Sequence, residues 1–163
     1  MYKRQIYAKH AKGSKFTDVD GNEYIDWVNA VTAVILGHSD DVVDNAVKNQ
    51  IDKGSIYTLN SPLEIELAEL LNEEIPSSEM VRYTKGGGDA CTVAIRIARG
   101  VTGKDKVIFS GYHGWHDWYQ AANFGADPVT GEFPFAGIEP IGVPQALAGT
   151  VFPFAESSIP PTL

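Results

Sequence analysis

A run of three glycines could supply the chemistry of anion binding. Gly86, Gly87 and Gly88 lie between a β-prone stretch and a helical pattern that begins at Asp89. Glycine lets backbone N–H groups approach a ligand closely, and the dipole of a helix favours negative charge at its N-terminus. The run therefore predicts a phosphate site, although it has the spacing of neither a Walker loop nor a dinucleotide fingerprint. The alternative is a tight turn that binds nothing.

A second candidate segment follows the next predicted strand and is rich in aromatic residues. Tyr112 and His113 come first after that strand, so their side chains are expected to face the same crevice as the glycine run. An aromatic ring beside a phosphate site indicates a flat, ring-bearing cofactor. For Trp115, Trp118 and Tyr119 we favour the competing interpretation, in which large aromatics pack in the core or at a subunit interface.

Two further groups of residues carry weaker signals. His113, His116 and Asp117 are of types that bind zinc, but their spacing is short and a third partner is not evident, so we favour loop histidines or a cofactor contact. Cys91 lies on the apolar helix after the glycines and is most simply a small buried residue.

Local signals predict the elements that come before the glycine run. Asp20-Gly21-Asn22 separates two short β-prone stretches and predicts an antiparallel hairpin. Apolar spacing predicts a helix over 41–53, with Asp40 and Asp41 at its start and Gly54 as a left-handed cap. A capping serine and a proline at Ser61-Pro62 predict a second helix that continues to about Ile75.

The pattern changes after Pro76 to strand, helix, strand. We predict a strand over 80–84, a helix over 89–99 and a strand over 106–110, which together make a βαβ unit. The fold class is therefore α/β from Ser61 onward. Residues 125–149 are rich in glycine and proline and predict a long, partly irregular excursion.

Composition narrows the class of protein. The 163 residues are 44% hydrophobic and 21% charged, which is typical of a globular domain with a core. The net charge of −8 gives no basic surface for nucleic acid or for an anionic membrane, and no apolar run approaches the length of a transmembrane helix. The single cysteine fits a reducing compartment, so we expect a cytoplasmic protein without nucleic-acid or membrane partners.

Five ordered blocks of the sequence resemble the class III aminotransferases, in particular the group similar to glutamate-1-semialdehyde aminomutase and its relatives in sugar and polysaccharide biosynthesis. The similarity covers about residues 11–154. The blocks are the hairpin stretch 16–26, Leu36-Gly37-His38, the glycine run with 94–99, Thr102-Gly103-Lys104-Asp105-Lys106, and Tyr112-His113-Gly114.

The resemblance implies an α/β fold, that of a fold-type I transferase dependent on pyridoxal 5'-phosphate, present here in incomplete form. Residues 1–60 would be a hairpin-and-helix part of the small domain, and residues 61–163 the first part of the large, parallel or mixed-sheet domain. By resemblance, Gly87 and Gly88 bind the cofactor phosphate, Tyr112 stacks on the pyridine ring, and His113 lies at the pocket edge. Asp89 takes the place of an acidic residue in the first turn of the phosphate-binding helix.

The implied activity is amino-group transfer on a small-molecule amine or amino acid, by a homodimer when the enzyme is full-length. The aspartate for the pyridinium nitrogen and the Schiff-base lysine are expected beyond Leu163, so we expect this chain to be an inactive fragment with no catalytic residue of its own. Gly86 stands where relatives commonly have Asn or Ser, and Gly88 where they have Ser or Thr, so a hydroxyl ligand to the phosphate is missing. The alternatives are another α/β enzyme with a phosphate-bearing ligand, such as a nucleotide sugar, and a non-catalytic pseudoenzyme or interaction fragment.

Overall fold

The computed structural model describes residues 5–125 and 139–154. These residues fall into two compact units that divide between Leu70 and Leu71. The first unit contains the strands β1 (Ala8–Lys12), β2 (Lys15–Asp18) and β3 (Glu23–Ile25) and the helix α1 (Asp41–Ile51). Helix α2 (Pro62–Glu74) runs across the division.

The predicted hairpin is confirmed. Strands β2 and β3 pair antiparallel, with Phe16 opposite Tyr24 and their rings stacked at 5.1 Å between centroids. Asp18 is buried and accepts hydrogen bonds from the backbone of Asp20 and from both the backbone and the side chain of Asn22. The Asp18 carboxylate thus satisfies the hydrogen-bond donors of the Asp20-Gly21-Asn22 turn, which explains why the turn forms at this position. Strand β1 completes a three-stranded antiparallel sheet.

The two predicted helices of this region are also confirmed. Asp40 caps α1, since its Oδ1 accepts hydrogen bonds from the amides of Val42 and Val43 at 3.0 and 3.1 Å. The helix ends at Ile51, two residues earlier than predicted, and Gly54 follows with φ of +105° and donates to the Ile51 carbonyl.

A side-chain contact closes the loop between β3 and α1. Nε2 of His38 lies 2.7 Å from Oδ2 of Asp26, and both side chains are partly buried. Oδ1 of Asp26 accepts hydrogen bonds from the amides of Val28 and Asn29. The enclosed loop includes four consecutive residues with positive φ, Asn29 to Thr32, a conformation that side chains other than glycine disfavour. The Asp26–His38 contact therefore holds a loop with an unfavourable backbone conformation.

The second unit contains α3 (Gly87–Thr102), β4 (Val107–Phe109), the short α4 (Asp117–Gln120) and β5 (Val151–Pro153). One-turn 3-10 helices follow α4 and precede β5. Strands β4 and β5 pair in parallel, with Val107 opposite Val151. Among residues 5–125 and 139–154, no helix has both the length and the apolar character needed to cross a membrane.

The prediction of a strand over 80–84 is wrong. Those residues pair with no strand in the part of the chain that the structure describes, and the partner of β4 is β5, for which no strand was predicted. A three-residue strand that ends in Pro153 has no detectable alternation, which explains the omission. The predicted helix is longer, since α3 includes Gly87 and Gly88 in its first turn. Of the predicted excursion, residues 139–149 form turns and a 3-10 helix, and residues 126–138 lie outside the described residues.

An aromatic core joins these elements. In the part of the chain that the structure describes, the buried hydrophobic residues are Phe109, Trp118, Tyr119, Ala121, Ala122 and Val151. The core interpretation is confirmed for Trp118 and Tyr119, whereas Trp115 is 64% exposed and lies outside the core. Cys91 is half-buried and packs against this core from α3. The core therefore fixes the start of α4 against one face of α3.

Candidate functional site

The three glycines form the start of α3 and leave its amides free. Gly86 is the N-cap with φ of −151° and ψ of 168°, and the first hydrogen bond of the helix joins the Ala90 amide to the Gly86 carbonyl at 3.0 Å. The amides of Gly87, Gly88 and Asp89 consequently have no carbonyl partner within the helix. A Cβ on Gly87 would meet nothing within 4 Å, so the space beside Gly87 is open. The arrangement suits an anion.

The glycine run and the segment after β4 are in direct contact. A Cβ on Gly114 would lie 2.8 Å from Cα of Gly88, closer than real Cβ atoms come to backbone. Gly114 is buried and has φ of +97°. Position 114 needs glycine for this approach, whereas a Cβ on Gly88 would lie at an ordinary 3.8 Å from Cα of Gly114. The contact places Tyr112 and His113 on a segment that packs directly on the start of α3.

Thr92 strengthens the same junction by two hydrogen bonds. Its Oγ1 donates to the Gly88 carbonyl at 2.9 Å and accepts from Nε1 of Trp118 at 3.0 Å. Since Trp118 belongs to the core, this hydroxyl ties the first turn of α3 to buried structure. The Gly88 carbonyl is therefore anchored to the core through Thr92.

Tyr112 presents its ring to solvent. The side chain is 67% exposed and touches Trp115 and Tyr119 only edge to face, at 6.5 and 5.9 Å between centroids. Gly111, with φ of +83°, precedes it and sets the direction of the turn. A planar ligand could stack on the face of such a ring.

His113 lies deeper than its neighbour. Its Nδ1 is 3.1 Å from the Gly111 carbonyl, and its ring contacts Phe109, Trp118 and Tyr119 at 5.7 to 6.1 Å between centroids. The Tyr119 hydroxyl also donates to the Gly111 carbonyl at 3.1 Å, and burial raises the pKa of this phenol. These contacts hold His113 at the boundary between the core and the exposed segment.

Asp89 has a partner that sequence reasoning did not find. Its Oδ1 lies 3.1 Å from Nε2 of His116, the residue that precedes α4. The sequence indicates His116 as a loop histidine or a cofactor contact in preference to a metal ligand, and nothing local to either residue indicates the pair. Among the described residues, no three His, Cys, Asp or Glu side chains are grouped as a metal site.

A cavity of about 630 Å³ lies beside this pair. It is lined by polar, charged, aromatic and aliphatic side chains of α3 and of the segment around α4: Thr92, Ile95, Arg96, Arg99, Trp115, His116, Asp117 and Trp118. Nε of Arg99 donates to the Asp105 carbonyl at 2.9 Å. The cavity extends from His116 along the face of α3 that carries Thr92, Ile95 and Arg99.

The residues present fit a phosphorylated aromatic cofactor. Free amides at Gly87 and Gly88 suit a phosphate, the space at Gly87 is open, and the ring of Tyr112 is exposed on the segment that packs against them. All five residues predicted for the cofactor site thus lie on two segments that meet at the Gly88–Gly114 contact.

Comparison with solved structures defines the class of protein. An ω-transaminase from Sphaerobacter thermophilus superposes with a TM-score of 0.80 at 35% identity, over 94% of this chain and 36% of that chain. The fold is therefore that of the fold-type I transferases that depend on pyridoxal phosphate, as predicted, present as a partial domain.

The family follows from sequence. A family model for class III aminotransferases matches residues 2–126, and the chain belongs to that family. It is 47% identical to a 3-aminobutyryl-CoA aminotransferase of Cloacimonas acidaminovorans, over 76% of this chain and 30% of the relative. It is 50% identical to a glutamate-1-semialdehyde 2,1-aminomutase of Thermosipho melanesiensis, over 69% and 27% respectively. The chain thus spans less than a third of the length of these curated relatives.

Proposed function

We propose that this chain provides the phosphate-binding and ring-stacking part of a pyridoxal-phosphate-dependent aminotransferase or aminomutase. The observation that carries the proposal is the Gly88–Gly114 contact, because it joins the free amides of α3 to the segment that presents Tyr112. Membership of the class III aminotransferases supports the same cofactor.

Each proposed site residue has a distinct task. The amides of Gly87 and Gly88 donate hydrogen bonds to the phosphate, and the helix dipole adds to its attraction. Tyr112 stacks on the ring, and His113 limits the pocket at the edge of the core. Asp89 lies in the first turn of the phosphate-binding helix, where its carboxylate contacts His116. These groups orient a cofactor and shield one of its faces from water.

When bound, pyridoxal phosphate supplies an electron sink for the bonds of the carbon that carries the amine. The proposed substrate is accordingly a small-molecule amine or amino acid. We also propose a homodimeric, cytoplasmic enzyme as the full assembly, with residues 1–60 in the small domain and 61–163 in the large one. The lysine and aspartate that complete the chemistry in the family are not among the site residues proposed here.

Paired ligands test the proposal. The 163-residue chain is titrated with pyridoxal phosphate and with pyridoxal, and binding is followed by quenching of tryptophan emission. We expect the phosphorylated form to bind at least about tenfold more tightly, since only it uses the free amides. Equal affinity for both, or stronger thermal protection by a nucleotide sugar than by pyridoxal phosphate, would contradict this function.

A further inference from the structure

The contact between His116 and Asp89 lies at the phosphate end of the proposed cofactor site. Nε2 and Oδ1 are 3.1 Å apart, and the two side chains are 42% and 46% exposed. The His116 carbonyl accepts hydrogen bonds from the amides of Tyr119 and Gln120, both buried, at 2.9 and 3.1 Å. The imidazole is thus attached to backbone that the core holds in place.

The ring of His116 also fills the space above Gly88. A Cβ at Gly88 would lie 3.0 Å from Cδ2 and 3.2 Å from Nε2 of His116. A side chain at position 88 would therefore push the imidazole away from Asp89. The contact between His116 and Asp89 therefore depends on glycine at position 88.

The carboxylate of Asp89 could compete with a phosphate for the amides at the start of α3. Asp89 is the third residue of α3, and a carboxylate in the first turn is attracted to the same free amides that a phosphate would use. A carboxylate turned toward those amides would occupy donors and repel the second anion. The other carboxylate oxygen, Oδ2, is only 3.8 Å from where a Cβ on Gly86 would lie, so the group stays close to the helix start.

We propose that His116 is a positioning residue, which binds the Asp89 carboxylate and keeps it from competing with the cofactor phosphate for the amides of Gly87 and Gly88. The inference rests on the proposed function, since it requires a phosphate at the start of α3. A neutral imidazole does this by donating its Nε2–H to Oδ1, and an imidazolium also cancels the negative charge.

A cycle of variants with the paired ligands tests the inference. His116→Ala should weaken binding of pyridoxal phosphate about fivefold to tenfold and leave binding of pyridoxal within about twofold, since only the phosphate competes with Asp89. Adding Asp89→Asn to His116→Ala should restore most of the lost affinity, because the competing charge is then gone. Asp105→Asn, which removes an exposed carboxylate beyond the other end of α3, is the matched control and should restore nothing.

His116→Gln provides a second arm that preserves an N–H donor to Asp89. It should bind pyridoxal phosphate within about threefold of the unaltered chain, even if the alanine variant proves unstable in thermal unfolding. Equal weakening of both ligands in His116→Ala, or failure of Asp89→Asn to restore affinity, would show a merely structural role and overturn the inference. An unaltered chain that does not prefer the phosphorylated ligand would instead overturn the proposed function, and this inference with it.

Discussion

Gly114 and Gly88 touch through their backbones: a Cβ on Gly114 would come within 2.8 Å of Cα of Gly88. The contact brings the segment that follows β4 onto the first turn of α3 without any intervening side chain. Glycine is required at position 114 for two separate reasons, because its φ of +97° also disfavours any other residue.

Gly114→Ala should therefore destabilise the second unit by roughly 3 kcal/mol, the sum of backbone strain and a clash with unyielding backbone. Gly142→Ala is the matched control, since Gly142 has φ of +85° but a Cβ there would meet nothing within 4 Å. It should cost roughly 1 kcal/mol, from strain alone. Urea unfolding followed by tryptophan emission measures both, and equal costs would show that the glycine–glycine contact is unimportant.

The hydroxyl of Thr92 should contribute measurably to the same junction. Thr92→Val leaves the buried Nε1–H of Trp118 without an acceptor and should destabilise the second unit by about 1–2 kcal/mol. Thr92→Ser keeps the hydroxyl and should cost less than half as much. If serine and valine are equally destabilising in urea unfolding, the effect comes from packing of the methyl group and not from the hydrogen bond.

Local signals in the sequence predicted the fold well wherever neighbouring residues determine the structure. Asp20-Gly21, Asp40 and Ser61-Pro62 each satisfy or fix backbone groups a few residues away, so their turns and helix starts form as expected. The pairing of β4 with β5 and the His116–Asp89 contact join residues far apart in the chain. No single sequence pattern encodes such pairs, which is why the partner of β4 was predicted wrongly.

The candidate site divides in the same way. The glycine run predicted a helix start with free amides, and the structure has one. The sequence could not show that the ring of His116 lies over Gly88, since the two residues are far apart in the chain and meet only in the fold. It also assigned Trp115 to the same class as Trp118, although one is exposed and the other buried.

The first unit should lose stability in acid through Asp26. The hydrogen bond from His38, followed by that from the Asn29 amide, holds the pKa of this carboxyl below its usual 3.8. A pKa lower in the folded than in the unfolded state means that the stabilisation is complete above pH 3.8 and is lost as the pH falls through the folded value. Asp26→Asn should flatten the decline in unfolding midpoint between pH 4 and pH 2, measured by circular dichroism in urea.

A residual slope is expected in that variant, because hydrogen bonds from Asn22 and Lys12 also lower the pKa of Asp18 and Asp41 respectively. Glu66→Gln, an exposed carboxylate on α2, is the control and should leave the slope as it is. A slope in Asp26→Asn as steep as in the unaltered chain would show that the Asp26–His38 contact does not hold the loop in solution.

The ring of Tyr112, not its hydroxyl, should contribute to cofactor affinity. Tyr112→Phe keeps the stacking surface and should bind pyridoxal phosphate within about twofold of the unaltered chain, whereas Tyr112→Ala should lose about tenfold, as for one aromatic contact. Because the side chain is exposed, neither change should shift the unfolding temperature by more than a degree or two. A loss as large with phenylalanine as with alanine would favour a hydrogen bond from the hydroxyl over stacking.

Exposed apolar surface should make the 163-residue chain self-associate. Among residues 5–70 no hydrophobic side chain is fully buried, and Trp27 and Ile56 are 89% and 93% exposed. Strand edges and apolar side chains left open in this way favour contacts between molecules. Trp27→Ser combined with Ile56→Ser should therefore lower the sedimentation-average mass at a given concentration without lowering the unfolding temperature, since neither residue supports a core. Asn49→Ser with Asn60→Ser, two exposed and uncharged polar positions, should leave the mass unaltered. A monodisperse monomer at high concentration, with cooperative unfolding, would contradict the argument.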